Sequence, residues 1–181
     1  MKIIAFTGPG GAGKNAAARA VSTRFHCEQL AFASPLYEMA AAALGLSLDE
    51  VRFAKESGST VLRALLENLG DALRATLGPD CLIDRVVDQL SKLEDGQDTP
   101  EIAAITDLRT EAEATWVRSM GGLVIHISRP GNTSPSRHST NQPIAFDQRD
   151  QYLVNDSTVE DLQAHALVIT HLWLYGKAAC A

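Results

Sequence analysis

Ile3-Ile4-Ala5-Phe6-Thr7 runs straight into Gly8-Pro9-Gly10-Gly11-Ala12-Gly13-Lys14-Asn15, and an alanine-rich stretch reaching about Arg24 follows. The unbroken apolar run has the pattern of a strand buried on both faces, as in a parallel sheet. The glycines end it sharply, and alanine is the strongest helix former, so a helix is expected from Lys14 onward. The segment from Gly8 to Asn15 fits G-x-x-x-x-G-K up to its last position. Such a loop suits phosphate because its glycines let successive backbone N–H groups turn inward around phosphate oxygens. The helix N-terminus behind it adds partial positive charge, and Lys14 is placed to reach the β- and γ-phosphates of a nucleotide. Asn15 and Ala16 stand where a Mg²⁺-binding hydroxyl is usual; an Asn carbonyl can ligate Mg²⁺ directly or through water.

Outward from this loop, strands and helices alternate. Glu28 to Ala33 reads as a second strand, and Ser34-Pro35 as an N-cap and first-turn proline for a helix to about Leu44. Ser47-x-x-Glu50 is a capping box. From Ser59 to Leu77, Leu62, Leu65, Leu66, Leu69, Leu73 and Leu77 keep helical spacing, with Arg63, Glu67 and Arg74 on another side. Pro79-Asp80 opens the next helix, with Ile83, Val86, Val87 and Leu90 inward. Ile102 to Thr106 is a strand, Glu111 to Met120 a helix closed by Gly121-Gly122, and Leu123 to Ser128 a further strand. Arg129 to Pro143 holds three prolines and few apolar side chains, the composition of a functional lid or a disordered surface loop. Tyr152 to Val154 reads as a short last strand. Ser157-x-x-Glu160 is expected to cap a C-terminal helix with Val159, Leu162, Ala166 and Ile169 inward. The alternation predicts an α/β fold with a mainly parallel sheet flanked by helices.

Asp107 falls at the C-terminal end of the predicted strand, where doubly wound sheets place their ligands. It could hold Mg²⁺ or orient an acceptor, or serve only as a helix N-cap. Arg109, two residues on, could face an anionic substrate or simply water.

The whole chain has 181 residues with 22 acidic and 16 Lys or Arg side chains, a formal charge of −6. That length suits one domain with room for a small insertion, and should bury ~70 % of the unfolded surface without disulfides or structural metal. The acidic balance argues against a nucleic-acid coat or an anionic membrane as partner. Cys27, Cys81 and Cys180 are widely spaced with no CxxC, so a reducing cytoplasm is expected. No segment is long and apolar enough to span a bilayer, and the five histidines form no HxxxH or HExxH pattern.

Several separate stretches, in order along nearly the whole chain, resemble the bacteriophage deoxynucleoside monophosphate kinases, relatives of the adenylate kinase group. Phe32-Ala33-Ser34-Pro35-Leu36 is similar to that family's "FA-x-PL" segment, with Tyr37 in place of a basic neighbour. Leu66-Glu67-Asn68-Leu69-Gly70-Asp71, then Arg74, Gly78 and Asp80, resembles its "LQ-x-LG-x-D…R…G-x-D" helix. Ile105-Thr106-Asp107-Leu108-Arg109 is similar to "ITDVR", and Glu113-Ala114 to part of "NEAE", with Ala112 replacing its Asn. Gly121-Gly122-Leu123-Val124-Ile125 and Arg129-Pro130 match "GG-x-VI…RP". Asn155-Asp156-Ser157, then Glu160-Asp161-Leu162, resembles "N-x-G-T-x-EDL". Ser136-Arg137-His138-Ser139-Thr140 lacks the Glu that usually follows "H-x-S".

The resemblance implies a P-loop NTPase fold over residues 1–181, with a helical monophosphate-binding region at about 34–93 and a lid at about 129–143. It implies ATP-dependent phosphorylation of a (deoxy)nucleoside monophosphate. Gly8, Gly10, Gly11, Ala12, Gly13, Lys14, Asn15, Ala16 and Asn155 would hold ATP, and Asn15 and Asp107 Mg²⁺. Ser34, Arg63, Asp71, Arg74, Asp80, Arg109 and Glu113 would bind the monophosphate. Lys14, Asp107, Arg109, Arg129 and Arg137 would be the catalytic set. The expected partners are small nucleotides, with no nucleic acid and no membrane, in the cytoplasm of the cell or of a virus's host. Both a monomer and a homodimer remain open. Two other readings stand beside this one: an inactive nucleotide-binding module, and a small-molecule kinase of the dephospho-coenzyme A kinase type. A GTPase is disfavoured because no N-K-x-D motif is present.

Overall fold

The computed structural model of the chain describes residues 1–132 and 143–176. Five strands form one sheet: β1 (Lys2–Thr7), β2 (Cys27–Leu30), β3 (Ile102–Leu108), β4 (Leu123–Ser128) and β5 (Gln151–Val154). Their order is β2-β3-β1-β4-β5, and every pairing is parallel. Among the described residues seven helices accompany them: α1 (Lys14–Arg24), α2 (Ser34–Leu44), α3 (Leu48–Glu56), α4 (Thr60–Leu77), α5 (Cys81–Glu94), α6 (Glu111–Ser119) and α7 (Val159–Tyr175).

The chain divides into two compact units, residues 1–31 with 90–181, and residues 32–89. In the first, the connection β1-α1-β2 crosses the sheet in one direction and β3-α6-β4 in the other. Parallel crossovers are right-handed, so α1 and α6 must lie on opposite faces. The core follows that rule. Ile4, Phe6, Ile102, Ala104, Ile125, Ile127 and Leu153 face α1 and α7, where Ala17, Ala18, Val21, Leu162 and Ala166 complete a buried cluster. Ala114 and Val117 are the buried apolar positions of α6, which lies against β1 and β4. Small alanines on α1 let that helix sit close to the sheet, which carries the loop before it toward the strand ends.

The second unit is helical, with α2, α3 and α4 in mutual contact. Gly70 sits in mid-α4, where glycine costs about 1 kcal/mol relative to alanine. Its reason is packing, since a Cβ there would lie 3.1 Å from Arg74 Nη1 and 3.3 Å from Leu36 Cδ1.

Several boundaries move by a residue or more from the sequence expectation. β2 ends at Leu30, because the Ala33 carbonyl already accepts from Leu36 and Tyr37 N–H. Ser34 is the first helical residue of α2 and Ala33 occupies the cap. On α7, Thr158 caps in place of Ser157, exchanging hydrogen bonds with Asp161, so the box is Thr158-x-x-Asp161. Val87 and Val159 are exposed, while Leu82, Thr170 and Leu174 are buried in their helices. β3 continues past Thr106 to Leu108. The Ser47–Glu50 box on α3 forms as expected.

α6 carries a further box: Thr110 Oγ1 accepts from Glu113 N–H at 3.2 Å, and Glu113 Oε2 accepts from Thr110 N–H at 3.0 Å. Thr110→Ala is expected to cost about 1 kcal/mol of stability. Urea unfolding would measure it, and a change below a few tenths would show the cap to be idle.

Candidate functional site

The loop from Gly8 to Gly13 leaves the C-terminal end of β1, between β3 and β4. Gly8 is needed on two counts. Its φ is +135°, and a Cβ there would sit 2.0 Å from the Ile127 carbonyl oxygen on β4. Gly13 caps α1 with no side-chain cap hydrogen bond, so no side chain of the cap residue covers the helix's first N–H groups. The N-terminal end of a helix carries partial positive charge, which favours an anion there.

Four carbonyls of the loop are held by side chains. Lys14 Nζ donates to Gly8 O at 2.7 Å and Pro9 O at 2.8 Å. Asn155, buried just beyond β5, donates from Nδ2 to Ala12 O at 2.9 Å. Asn132 Nδ2 donates to Gly10 O at 2.7 Å. Asn15 is exposed and Ala16 half-buried on the first turn of α1.

Beside the loop, β3 carries an irregularity that the sequence did not signal. Ala5 pairs with Ile105 but Thr7 with Leu108, so Thr106 and Asp107 together oppose Phe6. A bulge adds twist and re-aims side chains. This one brings half-buried Asp107 to the end of the strand alongside Thr7, where β1 gives way to the phosphate loop. Thr110 takes the α6 cap, so the N-cap alternative for Asp107 is not realised. Arg109 follows, half-buried, and its N–H donates to Glu113 Oε2 at 2.8 Å. Buried Glu113 thus holds two consecutive backbone N–H groups, an orienting task for the Asp107–Thr110 turn.

In the helical unit, Ser34 begins α2, Arg63 is exposed on α4, and Asp80 is exposed between α4 and α5. Arg74 Nη1 stands 4.0 Å from Asp71 Oδ1, one turn back on the same helix. In the parallel-sheet unit Arg129 is exposed after β4; Arg137 and most of the expected lid lie outside the described residues.

A charged cluster absent from the sequence reading ties α6, β4 and the segment before β5. Arg118 donates to Asp150 from Nε at 3.2 Å and Nη2 at 2.6 Å, and from Nη2 to Ala145 O at 2.7 Å. Asp150 Oδ2 also lies 2.8 Å from His126 Nε2 and accepts from Asp147 N–H at 3.0 Å. Burial pushes the Asp150 carboxyl up, but its hydrogen bonds from Arg118, Asp147 and His126 outweigh burial and hold it below the ordinary carboxylate value. No local sequence pattern announces a cluster assembled from positions 118, 126 and 150.

A parallel sheet ordered β2-β3-β1-β4-β5, with a glycine loop and lysine leading from its central strand into a helix, defines a P-loop fold. The sequence profile of the deoxynucleotide monophosphate kinases matches residues 72–166, just over half of the chain. The chain belongs to the deoxynucleotide monophosphate kinase family.

Among curated relatives, the deoxynucleotide monophosphate kinase of Enterobacteria phage T4 is 31 % identical over 100 aligned positions, a match that covers 50 % of this chain and 40 % of that protein. A putative deoxynucleotide monophosphate kinase of Acanthamoeba polyphaga mimivirus is 23 % identical over 92 % of this chain and 95 % of its own. The chain therefore spans less than half the length of the phage relative it matches, and nearly all of the mimivirus one. A solved gluconokinase from Sinorhizobium meliloti is 13 % identical, covers 99 % of this chain and 98 % of its own, and has a TM-score of 0.46.

Proposed function

We propose that the protein transfers the γ-phosphoryl group of ATP to a deoxynucleoside monophosphate. The observation that carries this reading is the Gly8–Lys14 loop. Its backbone donors and lysine stand at the end of β1 beside Asp107, in a chain of this kinase family. The bond between the γ-phosphorus and its bridging oxygen breaks, one to a monophosphate oxygen forms, and ADP leaves. Such transfer is mostly positioning and neutralisation of charge.

In this reading Gly8 to Gly13 and the first turn of α1 bind the triphosphate, with Asn155 supporting the loop from behind. Lys14 gives up the Gly8 and Pro9 carbonyls to neutralise the β- and γ-phosphates. Asn15 and Asp107, both oxygen donors as Mg²⁺ prefers, would hold that ion, which supplies charge neutralisation between the phosphates. Arg109 would bind phosphate oxygens in the parallel-sheet unit, with Glu113 fixing the turn that presents it. Arg129 and Arg137 would join the transferring group. The helical unit, with Ser34, Arg63, Asp71, Arg74 and Asp80, would take the monophosphate, where a guanidinium fork suits two phosphate oxygens. The enzyme would work in the cytoplasm on small nucleotides; among the described residues no helix is long and apolar enough to cross a membrane.

A coupled assay with ATP and Mg²⁺ against a panel of ribo- and deoxyribonucleoside monophosphates tests the reading. Turnover is expected on at least one deoxynucleoside monophosphate. Nucleotide binding without turnover on any of them would favour the inactive module, and turnover on dephospho-coenzyme A alone the other alternative. The family match supports neither.

A further inference from the structure

We propose that Asn132 is a positioning residue for the phosphate loop, its side-chain amide fixing the Gly10–Gly11 peptide in the orientation that receives a triphosphate. The inference rests on the reading of Gly8 to Lys14 as the triphosphate site. Arg129-Pro130-Gly131-Asn132 forms a tight turn directly after β4: Asn132 N–H donates to Arg129 O at 3.0 Å, and Gly131 has a φ of +75°. Proline second and a positive-φ glycine third are the requirements of a type II turn. The turn brings Asn132 back onto a loop far away in sequence, where Nδ2 meets Gly10 O at 2.7 Å. Gly11, the next residue, has a φ of +76°, a backbone conformation that favours glycine, and its Cα side lies in ordinary contact range of the same nitrogen.

In a planar trans peptide the C=O and the following N–H point in opposite directions. Anchoring Gly10 O to Asn132 therefore sends Gly11 N–H to the other side of the peptide. The other anchored carbonyls differ in kind. Gly8 O and Pro9 O are held by Lys14, which must release them to reach phosphate, whereas Ala12 O is held by buried Asn155. Once Lys14 turns to the nucleotide, the two asparagines remain to keep the loop in shape, together with the bond from Ala12 N–H to Pro9 O at 3.2 Å. A neutral amide suits that task, because it does not compete with the loop for the phosphates as an arginine or lysine would.

The test compares Asn132→Ala, Asn132→Asp and Gly131→Ala with the parent, using ATP, tripolyphosphate and adenosine as probes in titration calorimetry. Asn132→Ala is expected to weaken ATP and tripolyphosphate binding about three- to tenfold, the range of one lost hydrogen bond. Asn132→Asp, which cannot donate and adds repulsion, should weaken them further. Gly131→Ala, which keeps the amide but strains the turn, should act in the same direction. Adenosine affinity and the melting temperature should not change in Asn132→Ala, while the Gly11 amide should exchange faster in the nucleotide-free variant. In turnover, KM for ATP should rise by the same factor, with KM for the monophosphate unchanged. Tripolyphosphate affinity of Asn132→Ala within twofold of the parent would overturn the positioning role alone. Failure of the parent to bind either phosphate probe would instead overturn the nucleotide-site reading, and this role with it.

Discussion

Lys14→Met is expected to lower nucleoside monophosphate phosphorylation at least about a hundredfold while leaving the fold intact, since fixed charge stabilisation is a dominant part of such catalysis. The ammonium stands 2.7 Å and 2.8 Å from two loop carbonyls, at the mouth of the helix that follows. Methionine keeps the length of the side chain and removes the charge that must meet the phosphates. Those two hydrogen bonds are only half-buried, so the accompanying loss of stability should stay below about 3 kcal/mol. A coupled assay and a melting curve on the same preparation separate the two effects. Activity equal to the parent's would sink the phosphate-loop assignment. Lys14→Arg should rescue little, because a planar fork does not reproduce a compact point charge at this position.

Removal of Asp150 should produce the largest loss of stability. Asp150→Ala leaves Arg118, with a side chain 12 % exposed, facing a buried vacancy. Breaking one side of such a pair costs about 3 kcal/mol or more, which for a chain of this size lowers the melting temperature by roughly 6–12 °C. Because the carboxyl is held below its ordinary value in the folded protein, its stabilisation is complete above the unfolded value of about 4. It is lost as pH falls through the lower, folded value. The gap between parent and variant should therefore narrow on acidification and stay constant above neutrality. A gap that is small at pH 7, or that widens toward acid, would show the network to be dispensable.

The phosphate loop was legible because its requirements are local: glycines for the turn, a strand before it, a helix after it. The class of fold followed from the same alternation. What escaped notice depends on register or on distance. The bulge at Thr106–Asp107 shows only when β3 is laid against β1. Pro130-Gly131 carried its turn signal, but nothing in it says that the next residue reaches Gly10. Arg118, His126 and Asp150 come from three different elements, and periodicity brings none of them together. The cap shift at Thr158 arises where Ser157 and Thr158 could each serve, so geometry rather than residue type decides; at Ala33 the helix starts one residue early with no side-chain cap.

The position of β1 has a consequence for how the molecule is made. Lys2 pairs with Ile102 and Ile4 with Leu123, so both ladders of the central strand wait for segments synthesised about a hundred residues later. At elongation rates of about 5–20 residues per second, that delay is roughly 5–20 s. Throughout it Ile3, Ile4, Ala5 and Phe6, which end fully enclosed, have no strand to lie against. The helices of residues 32–89 contact neighbours close in sequence and can form meanwhile, but the phosphate loop acquires its shape only when β3 and β4 arrive. A ribosome-bound chain stopped before Ile102 should therefore hold a folded helical segment and an unformed phosphate loop, with its most apolar strand open to chaperones or to other nascent chains.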